Sequence, residues 1–216
     1  MLIRELMTPN PPVLTPHMTL PDALAFLKEK KVHRMAVVNG HGTLVGIIAE
    51  TDLHNATPSP ATLLSYWEIP VLLAKITVEA LMVRDVLTVT EDTPVEDAAR
   101  IMADHNIGCL PVMNGQTLVG MVNQNDLFRV FMELMGARRK GVRIWARTDS
   151  SKGTVARISS AIAEASGDIV GLGILEIHDA QGTRGEITLK VQDVPEDRLV
   201  DVVKPFVVEL LDVRSS

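Results

Sequence analysis

The sequence holds one cysteine, one tyrosine, two tryptophans and four phenylalanines in 216 residues. A single cysteine excludes an internal disulfide framework and fits a reducing compartment. So few aromatics leave no stacking platform for single-stranded nucleic acid. Acidic residues outnumber basic ones, 27 to 21, and the net charge of −6 argues against a general nucleic-acid or membrane-surface binder. No apolar run reaches the ~18 residues of a membrane span, and the Met1–Met7 stretch, which carries Arg4 and Glu5, does not read as a signal peptide. With 46% hydrophobic and 22% charged residues the chain reads as globular, soluble and cytoplasmic, long enough for one large domain or two small ones.

The charge is uneven. Residues 1–136 hold 9 basic and 15 acidic side chains, whereas residues 137–216 hold 12 of each. The step falls at Gly136-Ala137-Arg138-Arg139-Lys140-Gly141, a basic run between glycines, and marks 136–141 as a linker.

The first part repeats itself at a spacing of 75 residues. Met7-Thr8-Pro9 returns as Met82-Val83-Arg84, and Leu14-Thr15 as Val89-Thr90. His33-Arg34-Met35-Ala36-Val37-Val38 stands opposite Gly108-Cys109-Leu110-Pro111-Val112-Met113. One residue out of step, Thr43-Leu44-Val45-Gly46 matches Thr117-Leu118-Val119-Gly120, and Asp52-Leu53 then matches Asp126-Leu127. In each copy a helix is expected first. Thr19 and Asp22 open one with Leu20, Ala23, Leu24 and Leu27 on a face, and Thr93, Pro94 and Glu96 form a capping box before Ala98, Ala99 and Met102. Two strands joined at Asn39-Gly40 or Asn114-Gly115 follow, and then a helix whose N-terminus carries Asp52 or Asp126. A unit of this kind cannot cover both of its faces alone; pairing the two copies would.

These landmarks resemble the CBS domain, and the two copies together resemble a tandem CBS pair, or Bateman module, over residues 1–135. The resemblance implies an adenine nucleotide or related adenosine compound, AMP for example, bound as a regulator in a cleft between the repeats. It assigns nucleotide contacts to Asp126, Asn123, Thr90, Asp52, Thr15, His33 and Arg34. The family's end motif carries a Ser or Thr that faces phosphate and an Asp that takes the ribose hydroxyls. Here Gly46-Ile47-Ile48-Ala49-Glu50-Thr51-Asp52 and Gly120-Met121-Val122-Asn123-Gln124-Asn125-Asp126 keep both carboxylates and replace both hydroxyls, by Ala49 and Asn123.

Between the copies, Thr57-Pro58-Ser59-Pro60 leads into a stretch with Leu64, Trp67, Val71 and Leu72 at helical spacing and Pro70 as a kink, read as a core helix filling the gap. This insert resembles that of AcuB-like acetoin utilisation proteins, which join a CBS pair to an ACT domain.

The last third reads strand, helix, strand, strand, helix, strand: Val142–Arg147, Val155–Ala165, Gly167–Ile177 and Glu186–Val191 about Gln181-Gly182, a helix from Pro195, and Glu209–Val213. This βαββαβ order resembles the ferredoxin-like ACT domain, a small-molecule sensor. The resemblance implies a ligand at Gly153 and Ser150 in the first turn, although Asp149 stands one place early and Lys152 replaces the family's Pro. The expected organisation is thus α/β (α+β): CBS repeat 1 over 1–56, a helical insert over 57–76, CBS repeat 2 over 77–135, the linker 136–141 and an ACT domain over 142–216.

Cys109 beside an apolar strand is expected to be a buried structural thiol and not a nucleophile. None of the six histidines has a metal-ligand spacing. Gly167-Asp168-Ile169-Val170-Gly171-Leu172-Gly173 lacks the third glycine and the context of a dinucleotide loop and is read as strand packing. The resulting expectation is a non-catalytic regulatory sensor, homodimeric, with no metal, no catalytic cofactor, no nucleic-acid partner and no membrane contact. It would act on an unidentified enzyme or protein, in acetoin or acetate catabolism by the AcuB resemblance. The alternative is a ligand-free dimerising scaffold.

Overall fold

The two copies fold alike but exchange their opening segments. The computed structural model describes residues 1–57, 68–149, 151–179 and 182–215. The first copy runs β1 (Thr8–Pro9), β2 (Val13–Leu14), α1 (Leu20–Lys30), β3 (Arg34–Val38), β4 (Leu44–Ala49) and α2 (Glu50–Asn55). After α3 (Glu68–Leu73) and α4 (Val78–Leu81) come β5 (Val89–Thr90), α5 (Val95–Asp104), β6 (Cys109–Asn114), β7 (Thr117–Asn123) and α6 (Gln124–Leu134). Thr19 caps α1 by accepting from the Asp22 amide at 3.4 Å, and Lys31 ends it in the left-handed conformation (φ 54). Leu20, Ala23 and Leu27 are buried with Met35 and Val37 of β3.

The second helix starts differently from expectation. Pro94 occupies the cap position of α5 and supplies no side-chain cap; the Thr93 hydroxyl instead accepts from the Thr90 amide at 3.0 Å. That bond closes the turn after β5, so no Thr93–Glu96 box forms. The first hairpin turn is also wider than a two-residue Asn-Gly turn. Asn39 Oδ1 accepts from the His41 and Thr43 amides at 2.9 and 3.0 Å, and the positive φ falls on Gly42.

The exchange is visible in the backbone. Ile3 donates to the Thr93 carbonyl at 3.0 Å and β1 pairs with β7, Thr8 opposite Met121. Seventy-five positions on, Val78 donates to the Met18 carbonyl at 2.9 Å and Val83 bridges to Ile47. Ile3 and Val78 are both fully buried, Val78 in the first copy's core. The sheets are therefore β2-β3-β4 and β1-β7-β6-β5, the second containing a strand from the first repeat. Repeat boundaries read along the chain, 1–56 and 77–135, thus do not coincide with the packed halves. The exchange also explains the glycine of each Thr-Leu-Val-Gly strand. A Cβ at Gly46 would lie 2.5 Å from Met82 Sδ, and one at Gly120 would lie 2.4 Å from Met7 Sδ. Each repeat's opening methionine fills the place of the side chain missing from the other.

The insert falls partly outside the described residues: Leu64 and Trp67 are not among them. In α3, Val71 and Leu72 are exposed, and only Leu73 packs against the first copy's core. The reading of Val71 and Leu72 as core is therefore corrected. The helix positions Leu73 and not those two toward apolar partners.

The chain divides into two compact units, Met1–Leu127 and Phe128–Ser216. The division falls inside α6, earlier than the glycine punctuation at 136–141. Met135 and Gly136 pack closely on Gly171, where a Cβ would meet the Met135 carbonyl at 2.5 Å, so this stretch belongs to the second unit. That unit continues with β8 (Val142–Thr148), α7 (Thr154–Glu164), β9 (Asp168–Asp179), β10 (Gly182–Gln192), α8 (Glu196–Val203) and β11 (Glu209–Ser215). All pairings in its sheet, ordered β11-β8-β10-β9, are antiparallel. Ile144, Ala146, Ile187 and Leu189 form a core with Ile158 and Ile162 of α7 and Leu199 and Val203 of α8. Among the described residues no helix is long and apolar enough to cross a membrane.

Candidate functional site

The first unit holds a cavity of about 310 Å³ with one wall from each repeat, within the range of small-ligand sites. The first repeat contributes Lys31, His33 and Arg34; the second contributes Gly108, Cys109, Asn123, Gln124 and Asn125. The left-handed cap at Lys31 ends α1 abruptly, and Lys31, His33 and the first residue of β3, Arg34, line the cleft. The Arg34 guanidinium lies over Gly108, where a Cβ would sit 2.6 Å from Nη1. The absence of a side chain at 108 therefore makes room for this cation. Cys109 is 7% exposed; burial pushes its thiol up, opposed by the Arg34 charge, so it is a poor nucleophile.

The strand–helix turns differ between repeats. Asp126 accepts from the Asn123 amide at 2.9 Å while Asn123 Oδ1 accepts from the Asp126 amide at 3.2 Å, a reciprocal cap at the start of α6. Asn123 thus turns its Oδ1 to its own helix while lining the cleft. In the first repeat Asp52 accepts from the Ala49 amide at 2.9 Å, but the Ala49 methyl has no acceptor to return the bond. Asp126 is 2% exposed, beneath the cleft and not on its wall.

The structure brings together three of the residues singled out from sequence, His33, Arg34 and Asn123. Asp126 supports them from below. Asp52 lies on α2 and Thr15 follows β2, exposed, and neither lines this cleft. Thr90 lines a separate, more open cavity of about 510 Å³ with Thr43, Thr88 and Thr93, and no charged residue borders it. In the second unit Gly153 has φ 83 at the start of α7, while Ser150 lies outside the described residues. There Asp149 organises the described part of the turn. It accepts from the Ser151 amide at 3.1 Å, and that bond chiefly holds its carboxyl below the usual range. Lys31, Gln124 and Asn125 were missed in the sequence. The last two directly follow Asn123, and the first sits where a helix of period 3.6 runs out. Among the described residues no cluster of histidine, cysteine or carboxylate side chains is placed to hold a metal ion.

Two repeated α/β units with exchanged ends and a cleft between them define a paired module. The sequence pattern of the CBS domain matches residues 3–58 and 78–133, and the chain belongs to the CBS-domain family. It is 32% identical over 135 residues to a CBS domain-containing protein of Dictyostelium discoideum, covering 62% of this chain and 93% of that one. Among solved structures it is similar to an AcuB-type acetoin utilization protein of Vibrio cholerae (25% identity, TM-score 0.52, 64% and 95% of the two chains). It is also similar to CBSX2 in complex with AMP (29% identity, TM-score 0.53, 62% and 97%).

Proposed function

We propose that this protein is a non-catalytic regulatory sensor that binds AMP, or another adenosine compound of low charge, in the cleft between its CBS repeats. The observation that carries this reading is the pairing of walls: three basic residues of one repeat stand opposite three side-chain amides of the other. A phosphate meets Arg34, His33 and the Asn123 amide. Asn123 replaces the hydroxyl of the family's motif as donor. Asp126 holds Asn123 and the turn in place from beneath the cleft, and the contacts expected from sequence at Asp52, Thr15 and Thr90 are not part of this proposed site. The equivalent turn of the first repeat offers Ala49 and Glu50, which supply no donor side chain and a negative charge. The second cleft therefore binds more weakly. AMP bound to CBSX2, a relative of similar fold and 29% identity, supports the ligand class.

The βαββαβ unit is read as an ACT-type module that takes a small ligand at the Gly153 turn. The whole chain is a cytoplasmic homodimer acting on a separate enzyme or protein, with neither nucleic acid nor membrane as partner, and the AcuB similarity points to acetoin or acetate metabolism. Native mass spectrometry of the purified protein, followed by calorimetry with AMP and ATP, tests the sensor reading. The expected result is a dimer that binds AMP more tightly than ATP; no binding of either refutes it. One observation favours the ligand-free scaffold. Both motif carboxylates already accept backbone N–H groups at their own helix starts, so each has a structural role without any ligand.

A further inference from the structure

His33 lines the cleft, yet its ring is held by the first repeat's own strand–helix turn. Nδ1 lies 2.7 Å from Glu50 Oε2, the other Glu50 oxygen is 3.6 Å from His54 Nε2, and the Glu50 amide donates to the His33 carbonyl at 2.8 Å. Resting on the nucleotide reading above, we infer that Glu50 is a positioning residue that makes anion binding in this cleft proton-linked, so that the site prefers adenosine phosphates to uncharged adenosine and binds them more tightly as pH falls.

The argument is one of donors and acceptors. With Nδ1–H donating to Glu50, a neutral His33 leaves Nε2 as a lone pair, which repels a phosphate oxygen. Only the doubly protonated ring donates to Glu50 and to a phosphate at once. The hydrogen bond from His33 also holds the Glu50 carboxyl below its usual range, so the carboxylate stays ionised. Among the described residues, the other charged or titratable groups lining the cleft with His33 are Lys31 and Arg34 on its own segment and Cys109 at the start of β6, and His54 on α2 shares the Glu50 carboxylate. Those opposite, Asn123, Gln124 and Asn125, are uncharged. The 75-residue repeat places Gly108 where the first copy has His33, so the device exists in only one of the two clefts.

The test is AMP and adenosine affinity of the full chain by calorimetry between pH 6.5 and 8.5, for the unmutated protein, Glu50→Gln and His33→Arg. A glutamine amide can donate to Nδ1 and release the neutral tautomer with Nε2–H toward the cleft. AMP affinity should therefore fall about tenfold more across this range in the unmutated protein than in Glu50→Gln, since one linked proton changes affinity by up to tenfold per pH unit. His33→Arg carries a permanent charge and should bind AMP at pH 8.5 more tightly than the unmutated protein. The ligand's own phosphate titration is common to all three proteins and drops out of the comparison. AMP binding with identical pH profiles in all three overturns the proton linkage and leaves the nucleotide reading intact. No AMP binding at any pH overturns both.

Discussion

The interlock of each opening methionine with the other repeat's glycine can be tested by Gly46→Ala. The new Cβ would stand 2.5 Å from Met82 Sδ, 2.8 Å from its Cγ and 3.0 Å from the Val83 carbonyl oxygen. Met82 is 8% exposed, so its thioether has little space to enter, and the carbonyl bonds to the Ile47 amide at 2.9 Å, so the backbone is tied too. Overpacking of this kind costs about 1–3 kcal/mol. Replacing a strand glycine by alanine returns about 0.5–1 kcal/mol through lower chain entropy. The net expectation is a loss of up to about 2.5 kcal/mol. At Gly120 every close atom belongs to the half-buried Met7 side chain, which can swing aside, so Gly120→Ala should cost less. Truncating Met82 to Ala should itself cost about 2–5 kcal/mol by leaving a cavity. In the double variant the new methyl fills part of that cavity, so the pair should be less destabilised than the sum by at least about 1 kcal/mol. Urea melts of the four proteins followed by circular dichroism measure this cycle. Additivity within about 0.5 kcal/mol, or a Gly120→Ala more damaging than Gly46→Ala, would refute the interlock.

Other consequences are open to direct measurement. Deleting residues 1–9 should raise hydrogen-exchange rates in β6 and β7 of the second repeat more than in β3 and β4 of the first, because β1 pairs with β7; equal rises would contradict the exchange of segments. Asp126→Ala should weaken AMP binding by about 1–3 kcal/mol and Asp52→Ala less, read by calorimetry; equal losses would remove the asymmetry between clefts. Trypsin should cut first at Arg138, Arg139 or Lys140, all exposed, and mass analysis that finds earlier cuts within β8 or β10 would speak against this. Asp149 and Glu50 have carboxyls held below their usual range, by the Ser151 amide and by His33 respectively. The unfolded chain then takes up protons first, and the stability they contribute is complete above the ordinary carboxylate range and lost as pH falls through their lower folded values. Acid melts of Asp149→Asn should accordingly fall less steeply below pH ~4 than those of the unmutated protein.

The repeated elements were legible because period and punctuation agree in both copies. Thr19 caps where it is expected to, and Leu44–Ala49 is the strand read from its apolar run. The exchange of Ile3 and Val78 was not legible, since it involves contacts between residues 60 and 90 positions apart and leaves no mark on local periodicity. The same limit hid the role of the motif carboxylates. A sequence shows Asp52 and Asp126 at helix starts, but only the geometry shows that Asn123 returns the bond and Ala49 cannot. The linker failed for a related reason: Gly171 and Gly173 read as strand glycines, and it takes the fold to show that their bare backbone receives Met135 and draws the expected boundary into the second unit.

The departures between the copies follow one logic. In the packed halves the core positions match pair by pair, Ile3 with Val78, Met7 with Met82, Gly46 with Gly120, because each face must be covered by the other repeat. The cleft-facing positions do not match. His33 and Arg34 stand opposite Gly108 and Cys109 in the repeat, and Ala49-Glu50 opposite Asn123-Gln124. Exchange across the pair brings the basic member of the first set against the amide member of the second, in one cleft, and leaves the carboxylate of Glu50 with no cation from the second repeat at the equivalent positions. Packing alone does not require this pairing of the two sets. Their arrangement instead concentrates positive charge and hydrogen-bond donors in a single cavity, and Gly108 clears the space that Arg34 occupies there. Gly108→Ala separates the two accounts. A Cβ 2.6 Å from Nη1 moves a flexible, exposed guanidinium, so folding should change by less than about 0.5 kcal/mol, while AMP affinity should drop severalfold. A stability loss without an affinity loss would assign the glycine to packing and withdraw Arg34 from the site.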